Sequence, residues 1–123
     1  MAAKILTRPY FPDYDGYGVM MEAVGYKVTP GQWGNKLRVD FQGCQDPIGD
    51  ALLSRFYNFP DPLSPSCDVV KEFLIANLGE LPDDGELDPE VFLDKVYDVE
   101  LRSVEKDGVM PYTVVGKILK RRL

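Results

Sequence analysis

Apolar and polar residues alternate over residues 36–42. Leu37, Val39 and Phe41 fall on one side; Lys36, Arg38, Asp40 and Gln42 fall on the other. A period of two marks a strand with one buried face. Residues 17–28, YGVMMEAVGYKV, read as a preceding strand, with a break at Gly25 that suggests a bulge or bend. Turn chemistry at Pro30, Gly31, Gly34 and Asn35 joins the two. After the turn QDPIGD, the run ALLSRFYNF predicts a third strand. Leu52, Ser54 and Phe56 share one face; Leu53, Arg55 and Tyr57 share the other. Both faces carry large apolar residues, so this pattern does not say which face is inner.

The period then changes. Val69, Val70, Phe73, Leu74 and Leu78 recur at helical spacing, with Gly79 as the stop. Ser64 followed by Pro65, or Ser66 followed by Asp68, supplies the expected helix start. Asp88, Pro89 and Glu90 open a short helical turn that buries Val91 and Phe92. Alternation returns at residues 95–104, where Tyr97, Val99 and Leu101 oppose Asp98, Glu100 and Arg102. A turn at Asp107 and Gly108 leads to a last strand over residues 109–119, with Pro111 near its start.

Three strands, a helix and two strands predict a mainly β fold. The order suits a five-stranded OB-like antiparallel barrel with one helix between strands 3 and 4. A split α+β sandwich with one helix is the competing architecture. All 123 residues form a single domain on this reading, with residues 1–16 as an N-terminal strap and residues 117–123 as a basic tail.

Composition narrows the chemistry. The chain is 45% hydrophobic and 28% charged, enough for a real core. It has no histidine, which removes the commonest general base and metal ligand. A phosphate-cradling glycine loop and a nucleophile elbow are also missing, so the expectation is a protein that is not an enzyme and needs no cofactor or metal. Cys44 and Cys67 match no zinc spacing and read as unreactive thiols. No apolar run spans a bilayer and no leader is read, so the expected location is cytoplasmic.

Net charge is −6, unevenly spread. Residues 1–58 balance six cations against six anions. Residues 59–100 carry two lysines against twelve acids. Residues 101–123 carry six cations against two acids. Such a total argues against a purely electrostatic DNA binder but permits a local positive groove.

Several segments resemble the small OB-fold single-stranded-DNA-binding-like proteins of phages and mobile elements. They are DGYGVMMEAV, GNKLRVDFQG, ALLSRFYNF, VVKEFLIANLG, ELDPEVFLDKVYDVEL and PYTVVGKIL, covering most of residues 15–119. The resemblance implies binding of single-stranded DNA, or RNA, in replication or recombination, or service as an accessory module beside a polymerase or primase. A replication or recombination protein and further copies of the chain are the implied partners. The chain departs from the family pattern in ending on a basic segment where many members carry an acidic tail.

Sequence-tolerant binding of a single strand needs cations for phosphates and aromatic rings for bases. On the face of strands 2 and 3 these would be Lys36, Arg38, Gln42, Arg55 and Tyr57. Trp33 and Lys27 flank them from the loop before strand 2, and Lys117, Lys120 and Arg121 would extend the footprint. Each also has an ordinary reading. Lys36 and Arg38 suit any solvated strand face, Trp33 suits a ring packed over a barrel end, and the basic residues suit a solvated terminus. Tyr10, Phe11, Tyr14 and Tyr17 read as a strap over an edge rather than a stacking platform. The acidic residues 83–90 fit no calcium loop; helix-start preference explains Asp88 and Glu90, and the block reads as a surface for a protein partner or as repulsion that keeps DNA off this side. An adaptor role without DNA binding is the alternative function.

Overall fold

The computed structural model describes residues 1–3 and 8–123. Five strands form one antiparallel sheet: β1 (Gly18–Thr29), β2 (Asn35–Gly43), β3 (Leu52–Phe59), β4 (Val96–Val104) and β5 (Tyr112–Arg121). Their order across the sheet is β3-β2-β1-β4-β5. One α-helix, α1 (Asp68–Ala76), lies between β3 and β4 in the chain. The sheet is not closed. Its edge strands β3 and β5 come alongside each other, but among the described residues no hydrogen-bonded ladder joins them.

The strand alternation is realised as read. Leu37, Val39 and Phe41 are fully buried, as are Tyr97, Val99 and Leu101. Phe41 meets Tyr97 edge-on, Phe92 stacks on Tyr57, and Phe73 meets Phe92 edge-on. The helical turn Pro89–Phe92 starts on Asp88, whose carboxylate accepts from the Glu90 amide at 3.0 Å. It delivers Phe92 to the core.

The expected break at Gly25 is a bulge: the β1–β2 register slips between Ala23 and Gly25. The slip has a consequence for the surface. Met21 and Ala23 point inward, so unbroken alternation would send Lys27 inward too. With one residue inserted, Tyr26 packs on the core and Lys27 faces out, opposite Arg38.

The helix starts on a different cap from either expected one. Cys67 occupies the N-cap position without a side-chain bond, while the Ser64 and Ser66 hydroxyls bond each other at 2.9 Å. Its buried face is Val69, Val70, Glu72, Phe73 and Ala76. Leu78, expected on that face, lies beyond the helix and is exposed. Gly79 closes the end with a positive φ of 86° and a bond from its amide to the Leu74 carbonyl at 2.7 Å.

Residues 9–15 of the expected strap lie over the β4–β5 hairpin. The Thr113 amide donates to the Pro9 carbonyl, the Phe11 amide donates to the Thr113 hydroxyl, and the Ser103 amide donates to the Asp15 carboxylate. Phe11 and Tyr14 pack against the core, whereas Tyr17 is exposed. Residues 4–7 of the expected strap lie outside the described residues. The expected basic tail is mostly strand: β5 runs to Arg121, because Pro111 delays its start and Ile118 must reach the core.

At the end of β2, Gly43 lies against a turn. A Cβ there would sit 2.3 Å from the Gly49 carbonyl oxygen, a backbone atom. Gly43→Ala is therefore expected to cost about 1–3 kcal/mol, the range for overpacking. A lowered urea midpoint at unchanged m-value would show it; an unchanged midpoint would mean the turn yields freely.

Candidate nucleic-acid interface

Directly opposed residues of neighbouring strands share a face. The ladder registers therefore set out the outward face of β1, β2 and β3 row by row. Lys27, Arg38 and Phe56 form one row; Thr29, Lys36 and Asn58 form the next. On the other side of the arginine row come Gly25, Asp40 and Ser54, then Glu22, Gln42 and Leu52. Adjacent rows are about 6.6 Å apart, two residues along a strand.

The face combines cations with apolar surface. Phe56 and Leu52 are 48% and 54% exposed. Arg38 is tied to Asp40 by an ion pair of 2.9 Å, and Asp40 also accepts from the Ser54 hydroxyl. Lys36 bonds Asn58. Among the described residues neither Lys27 nor Lys36 makes an ion pair. Trp33, in the loop joining β1 to β2, is 88% exposed. It does not pack over the end of the sheet, and its whole ring is open to a partner.

At its β3 edge this face drops into a cleft of about 270 Å³ between β3 and β5. Arg38, Leu52 and Phe56 line it from one side, Tyr112 and Val114 from the other. Arg8, from the strap, lays its guanidinium over the Tyr112 ring at 4.2 Å. The expected site named none of Phe56, Leu52, Asn58, Arg8 and Tyr112.

Five of the expected residues gather here: Lys27, Trp33, Lys36, Arg38 and Gln42. Arg55 and Tyr57 do not. They pair with Val39 and Leu37, so they lie on the inner face. Both are bound to Glu72 of α1. The Arg55 Nε and Nη2 atoms donate to its two oxygens at 3.1 and 2.7 Å, and the Tyr57 hydroxyl donates at 2.9 Å. The Ile118 amide of β5 donates to the same carboxylate at 2.8 Å. Burial works against the Arg55 charge, but the bond and charge of Glu72 outweigh it and hold the guanidinium more firmly protonated. Burial, and then the Glu72 charge, push the Tyr57 hydroxyl well above its ordinary range, so it remains a donor. This network clamps the helix to β3 and β5 and holds Arg55 and Tyr57 on the inner face, away from the candidate site. A signal for it was present: Glu72 falls within the helix's apolar stripe, and a buried carboxylate requires a cationic partner.

The basic residues of β5 also leave the site. Lys117 lies 3.8 Å from Glu100, and Lys120 stands opposite Asp98, which Arg122 pairs at 2.8 Å. Arg121 turns inward and donates to the Ala76 carbonyl at 3.0 Å, placing a cation at the C-terminal end of α1. Its Nε atom is buried without a partner among the described residues. Cys44 is exposed, but partial desolvation of its thiol, and then the Glu22 charge, push the thiol up, away from reactivity.

Among the described residues no helix is long and apolar enough to cross a membrane. The structure thus defines a mainly β chain with one five-stranded antiparallel sheet and one helix. Compared with known protein families, curated proteins and solved structures, it matches none.

Proposed function

We propose that this chain is an OB-like protein that binds single-stranded nucleic acid, DNA first, in replication or recombination. The observation that carries the reading is the open Trp33 ring in the β1–β2 loop, at the end of the face that carries the Lys36 row and then the row Lys27, Arg38 and Phe56. The strand order and the approach of β3 to β5 support the OB-like part, since an OB-fold is a partly open five-stranded barrel. Such barrels bind oligonucleotides on the face of strands 2 and 3 with the loop between strands 1 and 2; Trp33, Arg38 and Phe56 lie there, with Lys27 beside them on β1.

The chemistry follows from the parts. Trp33 and Phe56 offer π-faces to unstacked bases, a contact worth about 1–3 kcal/mol per base and tolerant of sequence. Lys27, Lys36 and Arg38 meet the phosphates. Three cations are a modest electrostatic footprint, in keeping with an acidic protein. Duplex DNA keeps its bases stacked inside, so the rings would find no partner there.

Trp33 is the chain's single tryptophan, so its fluorescence reports on this loop alone. Oligo-dT at low salt is expected to quench it saturably. With three phosphates neutralised, the log–log dependence of affinity on salt has a slope of about −2. Absence of both quenching and a gel shift at low salt would sink the proposal. A parallel titration with oligo-rU sets DNA against RNA.

A further inference from the structure

A second surface lies around α1, and its Leu63, Gly85 and Leu87 also border the start of β2 at Asn35. Val70 and Phe73 of the helix meet Leu63 and Pro65 of the preceding connector and Leu81 and Leu87 of the following loop, enclosing an apolar cleft of about 270 Å³. Phe73 is buried, while Leu81 at its rim is 65% exposed. The rim is acidic. Asp61, Glu80, Asp83, Asp84, Glu86 and Asp88 sit on the two bounding loops, all exposed. The sequence places no lysine or arginine in residues 59–70 or 72–94.

Among the described residues these carboxylates do not gather in a group that could hold a metal ion. The Asp84 and Asp88 carboxylates each accept a backbone amide two residues on, which leaves their charge on the rim. Nucleic acid is repelled here. What fits is a segment with an apolar side chain for the cleft and cations for its border.

We propose that this cleft docks a basic, leucine-containing peptide segment of a partner protein. One apolar side chain of the partner enters between Leu81 and Leu63 above Phe73, and its flanking lysines or arginines meet the acidic rim. The cleft shares no lining residue with the nucleic-acid face, so a single strand and a protein partner can be held together.

The probe is the peptide KRKLLRKK, titrated into the isotope-labelled full chain and followed by amide NMR. Saturable shifts are expected at Leu63, Val70, Leu81, Gly85 and Leu87, with Trp33 and Phe56 unmoved. Burial of one leucine is worth about ten- to a hundredfold in affinity, so Leu81→Ser and the serine peptide KRKSSRKK should each weaken binding by about that factor. Asp83→Lys combined with Asp84→Lys should weaken it too. These positions are exposed, and unchanged spectra elsewhere confirm the fold. Any of three results would overturn the proposal: no saturable shifts, equal binding of the serine peptide, or shifts confined to the Trp33 face. Peptide-independent dimerisation lost in Leu81→Ser would also overturn it, by giving the cleft to a second copy.

Discussion

Glu72→Ala is expected to lower the stability of the chain by about 3–5 kcal/mol, the range for removing one partner of a buried ion pair. The substitution leaves the Arg55 guanidinium with a side chain 12% exposed and no bidentate acceptor. It also strands the Tyr57 hydroxyl and the Ile118 amide, both of which donate to the same carboxylate. Asp68, 3.8 Å from Arg55 and well exposed, is too far and too solvated to take over. A second variant separates charge from packing. Arg55→Met with Glu72→Leu removes the unpaired cation and should recover part of the loss. It should not recover all of it, because an unbonded buried Ile118 amide alone costs about 1–3 kcal/mol. Urea unfolding of the three proteins tests this. Equal stability of wild type and Glu72→Ala would mean that the helix is not clamped through this carboxylate.

Trp33→Ala combined with Phe56→Ala is expected to abolish most of the affinity for oligo-dT. Two lost base stacks amount to about 2–6 kcal/mol, or roughly thirtyfold to more than ten-thousandfold. Both rings are exposed, so thermal stability should change little, within about 0.5 kcal/mol for substitutions away from the core. Gel shift and anisotropy replace tryptophan fluorescence in this variant. Arg55→Ala is the contrasting case: it should lower stability, with affinity of the folded fraction kept. If the double variant binds oligo-dT as tightly as the wild type, the outward face of β1 to β3 is not the binding surface.

These two variants divide residues that the sequence presents as one group. Arg38 and Arg55 are both arginines in predicted strands, Arg38 between Leu37 and Val39 and Arg55 between Ser54 and Phe56. In β2 the apolar residues fall strictly on one side, so Arg38 must face outward. In β3 they fall on both sides. The phase is decided by pairing Leu53 with Phe41 and Tyr57 with Leu37, a non-local choice. Burying Arg55 is then tolerable because Glu72, seventeen residues later in the chain, is there to bind it.

The basic end of the chain shows the same limit. Its cations read equally as an extension of the nucleic-acid footprint or as a solvated tail, because residue type carries no record of a cross-strand neighbour. Pairing β5 with β4 brings Lys117 against Glu100 and Lys120 against Asp98, and the positive patch is largely neutralised. Arg121 goes to the helix end instead.

Local patterning by itself determined five strands, one helix and their order, along with the inner faces of β2 and β4. Short-range sterics and the removal of apolar side chains from water set those features, and both are written residue by residue. Only the tertiary structure decided that Phe56 rather than Tyr57 stands beside Arg38, that the β1 bulge turns Lys27 outward, and that Trp33 stays uncovered. These depend on register and on what packs against each face, which are set by partners distant in the chain.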